Sequence, residues 1–161
     1  MRKILAILAT LVLGLVSAGG VSAASGSIIR GTFDNGFDTF LDQDVCAAAP
    51  WQFDVTATEH EYGFYQVRVD ANGNFISATV HNNYDATISA NGHTILERDT
   101  WTTFISADGI RDVGLTVHIQ GPGGIVVRDA GQIVRDADGN FEYLRGPHEQ
   151  FSGVSFCPAL A

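Results

Sequence analysis

Basic charge is what this chain has least of. Lysine occurs once, at position 3, and nine basic residues face eighteen acidic ones over the 161 residues. Proteins meet nucleic acids and acidic membrane surfaces with clusters of lysine and arginine, and the chain has no such cluster, so those partners are excluded on electrostatic grounds. Long apolar runs are equally scarce. The single uncharged apolar run, residues 4–16, is thirteen residues long, short of the roughly 20 that a membrane-spanning helix needs. Helical periodicity is nearly absent after it, cysteine occurs twice, and no Gly-x-Ser-x-Gly elbow occurs, so a helical bundle, a disulfide-dense scaffold and the familiar hydrolase motif all drop out.

The run at the start has the layout of an export signal. Arg2 and Lys3 supply the positive start, and small residues follow the apolar stretch. Val21-Ser22-Ala23 best meets the cleavage rule, with Val16-Ser17-Ala18 as the second option, which makes residues 1–23 a signal peptide and residues 24–161 one secreted domain. No cysteine stands at the processing point, which argues against a lipid anchor. Removing Arg2 and Lys3 leaves seven basic residues against eighteen acidic ones, a net charge of −11.

Cys46 and Cys157 are the only cysteines. In an exported chain they are expected to pair, stapling the region after the first strand to the tail. Two free thiols, or a catalytic cysteine, are the alternatives, and no histidine stands near either cysteine in sequence to activate it.

Between Trp51 and Gly146 β-branched and aromatic residues alternate with turn signals. Asn72-Gly73, Asn91-Gly92, Asp108-Gly109 and Asp138-Gly139 suit hairpin turns, and Gly121-Pro122-Gly123-Gly124 is a turn of another kind. Their intervals exceed the ~8–12 residues usual in immunoglobulin-like sandwiches. The pattern therefore predicts an all-β, antiparallel up-and-down meander of eight strands, at 28–33, 51–58, 62–69, 75–89, 94–105, 113–120, 125–135 and 141–144. Closure into a lipocalin-like β-barrel would remove the exposed edges, and a β-sandwich is the alternative. Residues 32–49, rich in Asp, Gly and Ala, read as a loop. Asp70-Ala71-Asn72-Gly73-Asn74-Phe75 and Asp136-Ala137-Asp138-Gly139-Asn140-Phe141 share five of six residues, which is best explained as one hairpin problem solved twice.

Placing Asn91-Gly92 in a two-residue turn sets a register in which Ala90 faces His93 and Asp85 faces Arg98. Thr87, Ser89, Thr94, Thr100 and Thr102 then share a wet face. On the other face Val80 meets Thr103, Asn82 meets Trp101, Tyr84 meets Asp99, Ala86 meets Glu97 and Ile88 meets Ile95. Aromatic walls with a few directed polar groups describe a small-molecule site, so Asn82, Tyr84, Glu97, Asp99 and Trp101 are the candidate ligand-binding residues, and Asp129 shares strand parity with Ile125, Val127 and Ile133 and can join them. Enclosed carboxylates there would have raised pKa values, suited to acid–base chemistry or to holding a cation.

Metal chemistry finds weaker support. Asp34, Asn35, Asp38, Asp42 and Asp44 crowd together but lack the order of a calcium loop. His60, His81, His93, His118 and His148 are scattered, and His148-Glu149 lacks the second histidine of the zinc-protease motif. No cofactor or metal is expected.

The C-terminal half, with His118-Ile119-Gln120-Gly121-Pro122-Gly123-Gly124, Asp129-Ala130-Gly131, Gly146-Pro147-His148 and Cys157-Pro158-Ala159-Leu160, resembles small secreted actinobacterial proteins of unknown function. The resemblance implies export and a cysteine near the C-terminus, and no activity. In outline the meander is similar to lipocalin-like barrels, without the Gly-x-Trp signature near the first strand. The expected function is a secreted barrel that binds a small, partly apolar ligand against Tyr84 and Trp101. A barrel enzyme of isomerase, cyclase or hydrolase type, with Asp99 or Glu97 as acid or base, is one alternative. An extracellular interaction protein with a filled core is the other.

Overall fold

The computed structural model describes residues 26–161, so the expected signal peptide at 1–23 lies outside the described residues. Seven strands run β1 (Ser27–Asp42), β2 (Val55–Val69), β3 (Phe75–Ala90), β4 (His93–Ser106), β5 (Gly109–Gly121), β6 (Gly124–Arg135) and β7 (Phe141–Arg145). Two short 3-10 turns follow, at Gln150–Ser152 and Cys157–Leu160. Each strand pairs antiparallel with its sequence neighbour, in one sheet of order β1-β2-β3-β4-β5-β6-β7. The all-β up-and-down expectation holds.

Three parts of the expectation are corrected. The predicted strands at 51–58 and 62–69 are one strand, because Glu59, His60 and Glu61 stay in the ladder, facing Ala86, Asp85 and Tyr84. Residues 32–42 of the expected loop belong to β1. Asn35-Gly36 is not a turn but an irregularity in the β1–β2 register, between Asp34 and Phe37, with Gly36 at φ 70°. The sheet is not closed into a barrel: β1 is paired with β2 alone and β7 with β6 alone. Strand β7 has only five residues, and Gly146-Pro147 ends it. An open meander of this order remains compatible with the sandwich alternative.

Local chemistry accounts for the turns. Asn91 and Gly92 take φ of 53° and 81°, the two positive values of a type I′ turn. In the repeated hexapeptides, Asp70 Oδ1 accepts the N–H groups of Asn72 and Asn74, both at 2.8 Å. Asp136 Oδ1 accepts those of Asp138 at 2.9 Å and Asn140 at 2.8 Å. The same aspartate device closes both hairpins, and the bond from the Asn side chain leads the interactions that hold each carboxyl below its ordinary range.

The face carrying Val55, Ala57, Ala86, Ile88, Ile95, Ile119 and Val127 is the buried one. At one end of the sheet all of these but Ala57 form an apolar plug with Cys46, Cys157 and Leu160, and Trp51 and Phe53 pack against it from the loop before β2. Cys46 and Cys157 are joined in a disulfide across 111 residues of sequence. Asn91 Nδ2 donates to the Leu160 carbonyl at 3.0 Å, tying the β3–β4 hairpin to the same tail.

In the middle of the sheet β5 carries one extra residue. Leu115 faces Ala130 and Val117 faces Asp129, which leaves Thr116 bulged between them. Beside the bulge, Gly114 sits at φ 140°, opposite Trp101 on one side and Gly131, at φ 148°, on the other. A Cβ on Gly114 would come 2.6 Å from the Thr100 carbonyl oxygen and 2.9 Å from Trp101 Cα. Only glycine fits there.

Replacing Cys46 and Cys157 together by serine should lower stability by up to ~4.7 kcal/mol, the chain-entropy limit for a loop of about a hundred residues. Urea denaturation of the mature protein measures this. A loss below ~1 kcal/mol would mean that packing around Leu160 holds the tail unaided.

Candidate functional site

The β3–β4 ladder has the predicted register at every position: Asn82 faces Trp101, Tyr84 faces Asp99, Ala86 faces Glu97 and Ile88 faces Ile95. The wet face is outside, where the exposed side chains of Asp85 and Arg98 lie 3.8 Å apart and Ser89 and Thr94 share a hydrogen bond of 3.0 Å.

Following the ladders across the sheet extends the inner face into two polar rows. In the first, Glu61 faces Tyr84, and Tyr84 faces Asp99. Beyond the β5 bulge Val117 faces Asp129, and Asp129 bridges to His148. In the second, Glu59 faces Ala86, Ala86 faces Glu97, Glu97 faces Ile119, and Ile119 faces Val127. Residues directly opposite one another in a sheet share a face. Five carboxylates, Glu59, Glu61, Glu97, Asp99 and Asp129, therefore lie on one side of five strands, immediately beside the apolar plug.

Each is placed by an identifiable contact. The β5 bulge frees the His118 N–H from the ladder, and it donates to Asp99 Oδ1 at 2.6 Å. Tyr84 donates its hydroxyl to Glu59 Oε2 at 2.7 Å. Asp129, with none of its surface exposed, accepts the Gln150 N–H on Oδ1 at 2.9 Å. After Gly146-Pro147 the chain turns back along β6, where Ala130 N–H donates to the Pro147 carbonyl at 3.0 Å. Arg128 N–H donates to Glu149 Oε2 at 2.7 Å. These bonds press His148 against Asp129.

Electrostatics follow from burial without counter-charge. Burial, then the charge of Glu97 beside it and a hydrogen bond to Glu97, pushes the Asp99 carboxyl up to about 9. Glu97 and Glu61 are also raised, in both cases chiefly by burial. The Tyr84 phenol is raised by burial and then by its bond to Glu59. Asp99 is thus a proton-bearing acid at neutral pH, with a second carboxyl group beside it.

Of the six predicted residues, the fold brings Tyr84, Glu97, Asp99 and Asp129 into these two rows. Asn82 and Trp101 occupy the next row along. Asn82 is engaged in a separate network: its Nδ2 donates to Thr103 Oγ1 at 3.2 Å, Thr103 donates to Asp112 Oδ1 at 2.7 Å, and Arg135 pairs with the other Asp112 oxygen. Two open clefts, of about 480 and 330 Å³, lie toward the opposite end of the sheet from the plug, and neither is lined by any of the six. Sequence reasoning missed Glu59, Glu61 and His148. The parity of Val55, Ala57, Glu59 and Glu61 along one uninterrupted strand would have found the first two. Nothing local marks His148, which joins through the Asp129 bridge.

Fold and site together define an all-β, disulfide-bonded domain with a partly buried acidic belt. No family model matches the chain, and no curated protein or solved structure is significantly similar to it.

The Asp99 carboxyl, ordinary in the unfolded chain at ~3.9 and about 9 when folded, makes the folded state hold the extra proton between those values. Stability is then greatest below pH ~4 and declines as pH rises through that window. The melting temperature should fall by at least ~5 °C from pH 5 to pH 8. Asp99→Asn keeps an acceptor for the His118 N–H and supplies a permanent donor toward Glu97, so it should flatten the decline; an unchanged slope would locate the proton elsewhere.

Proposed function

We propose that the mature protein is exported by the signal at residues 1–23 and binds a small, partly apolar molecule on the inner face of its sheet. Tyr84 and Trp101 supply the aromatic surface. Glu97 and Asp99 orient the ligand, with Asp129 behind them and Asn82 at the border of the site. The observation that carries this reading is the pairing of half-buried Tyr84, Glu97 and Trp101 with fully buried Asp99 and Asp129 on one face. A purely structural core at that depth is apolar, since carboxylates stripped of water without a counter-charge cost stability. Such groups are retained where they meet something other than the protein itself. The disulfide supports the extracellular setting, because such bonds persist in oxidising compartments.

A second reading, an acid–base enzyme, rests on one specific feature. Asp99 keeps its proton at neutral pH while Glu97 lies next to it, so the pair offers a donor and an acceptor to one substrate.

Native mass spectrometry of the mature protein from its own culture medium, compared with the same sample after acid denaturation, tests binding directly. The expected result is a mass excess that disappears on denaturation. A bare polypeptide, two hydrogens lighter than the reduced chain, would count against a tightly held ligand and favour a substrate that leaves after turnover.

A further inference from the structure

We infer that the ligand of the inner face is an organic ammonium ion, held by Glu59, Glu97, Asp99 and Asp129 with its apolar body against Tyr84 and Trp101. The inference rests on the binding reading above and names the chemistry of that site. It starts from an imbalance. The two polar rows hold five carboxylates and no arginine or lysine among the described residues. Arg135, the base on a neighbouring part of the same face, is already taken by Asp112.

The Asp129–His148 contact is a second, independent observation at the same place. His148 Nε2 lies 3.2 Å from the Arg145 carbonyl, which can only accept, so that nitrogen carries the hydrogen. In the neutral ring Nδ1 is then an acceptor. It points at Asp129 Oδ2 across 3.7 Å, beyond hydrogen-bond reach. Both atoms are buried and neither has a partner. Buried polar atoms are almost always satisfied. Two facing acceptors need a donor, supplied by a second proton on the ring or by a group from outside the protein, and Asp129 is close enough to Asp99 for its charge to be felt there. One donor-rich positive group entering beside Asp99 and Asp129 would supply a donor to Asp129 Oδ2 and His148 Nδ1.

An ammonium group fits better than a metal ion. A metal needs several ligand atoms converging on one point, and no group of three His, Cys, Asp or Glu side chains among the described residues does so. The carboxylates are instead strung along two rows over several strands, beside Tyr84 and Trp101. A cation with three N–H donors and an attached apolar body uses such a layout, the indole face adding cation–π attraction.

The test is calorimetric titration of the oxidised mature protein at pH 7 with 2-phenylethylamine and, separately, with its neutral counterpart 2-phenylethanol. The amine should bind at least tenfold more tightly than the alcohol. Its binding should release protons, read by repeating the titration in buffers of different ionisation enthalpy, because a cation displaces the protons that the crowded carboxylates share. Glu97→Gln and Asp129→Asn should each weaken amine binding at least tenfold and so narrow the preference for amine over alcohol; an undiminished preference in both variants would overturn the inference. Asn at position 129 can still accept the Gln150 N–H, and Gln at 97 is isosteric and half-exposed, so one variant reports if the other fails to fold. Equal binding of amine and alcohol would overturn the inference and leave the small-molecule reading standing. Binding of neither probe would overturn both.

Discussion

Everything distinctive about this molecule depends on the apolar plug at one end of the sheet. Val55, Ile88, Ile95, Ile119, Val127 and Leu160 close around the Cys46–Cys157 bond, with most of their surface removed from water. The strands leave that plug in parity, so the next inward positions after Ala57, Ile95 and Val127 are Glu59, Glu97 and Asp129. Carboxylates are thereby set against a region of low polarisability, where removal from water disfavours their charged forms. The plug stabilises the fold and, by its position, makes the acidic belt chemically unusual.

The belt is assembled by small departures from ideal β geometry. The extra residue Thr116 in β5 releases the His118 N–H toward Asp99. Gly114 and Gly131 allow backbones to approach where any side chain would collide. After β7 the Gly146-Pro147 break lets the tail return along β6 and cover Asp129 with His148. Each departure costs ladder hydrogen bonds or conformational entropy. All three fall around the same few side chains, as expected where local regularity yields to a site.

The contrast with the other polar networks is instructive. Asn82, Thr103, Asp112 and Arg135 form a chain in which donors meet acceptors and the carboxylate has a guanidinium partner. On the outer face Asp34 is held below its ordinary range by His60, 2.8 Å away. Those acids are satisfied within the protein. Asp129 Oδ2 has no partner, and neither Asp99 nor Glu97 has a cationic one among the described residues, and that difference in partners, more than their number, separates this belt from the structural network.

Much of this was legible in the residues themselves. Asn91-Gly92 fixed the β3–β4 register, because a two-residue turn with two positive φ values admits one pairing and a period of two then assigns every side chain to a face. The two aspartate-led turns and the pairing of the only two cysteines are equally local or combinatorial. Strand β1 was hidden because Asp34-Asn35-Gly36 has the composition of a turn yet acts as a bulge, and β2 because its acidic centre resembles a loop when its neighbours are unseen. Closure of the sheet was beyond reach, since it depends on whether the first and last strands meet. The sequence by itself therefore determined the all-β class, the charge, the disulfide and one hairpin of the site, all consequences of turn chemistry and side-chain alternation. Only the tertiary structure decided that Glu59, Glu61 and His148 join Asp99 and Asp129, because that juxtaposition arises from pairings across five strands and from a tail returning to β6, and no local pattern encodes contacts made at that distance.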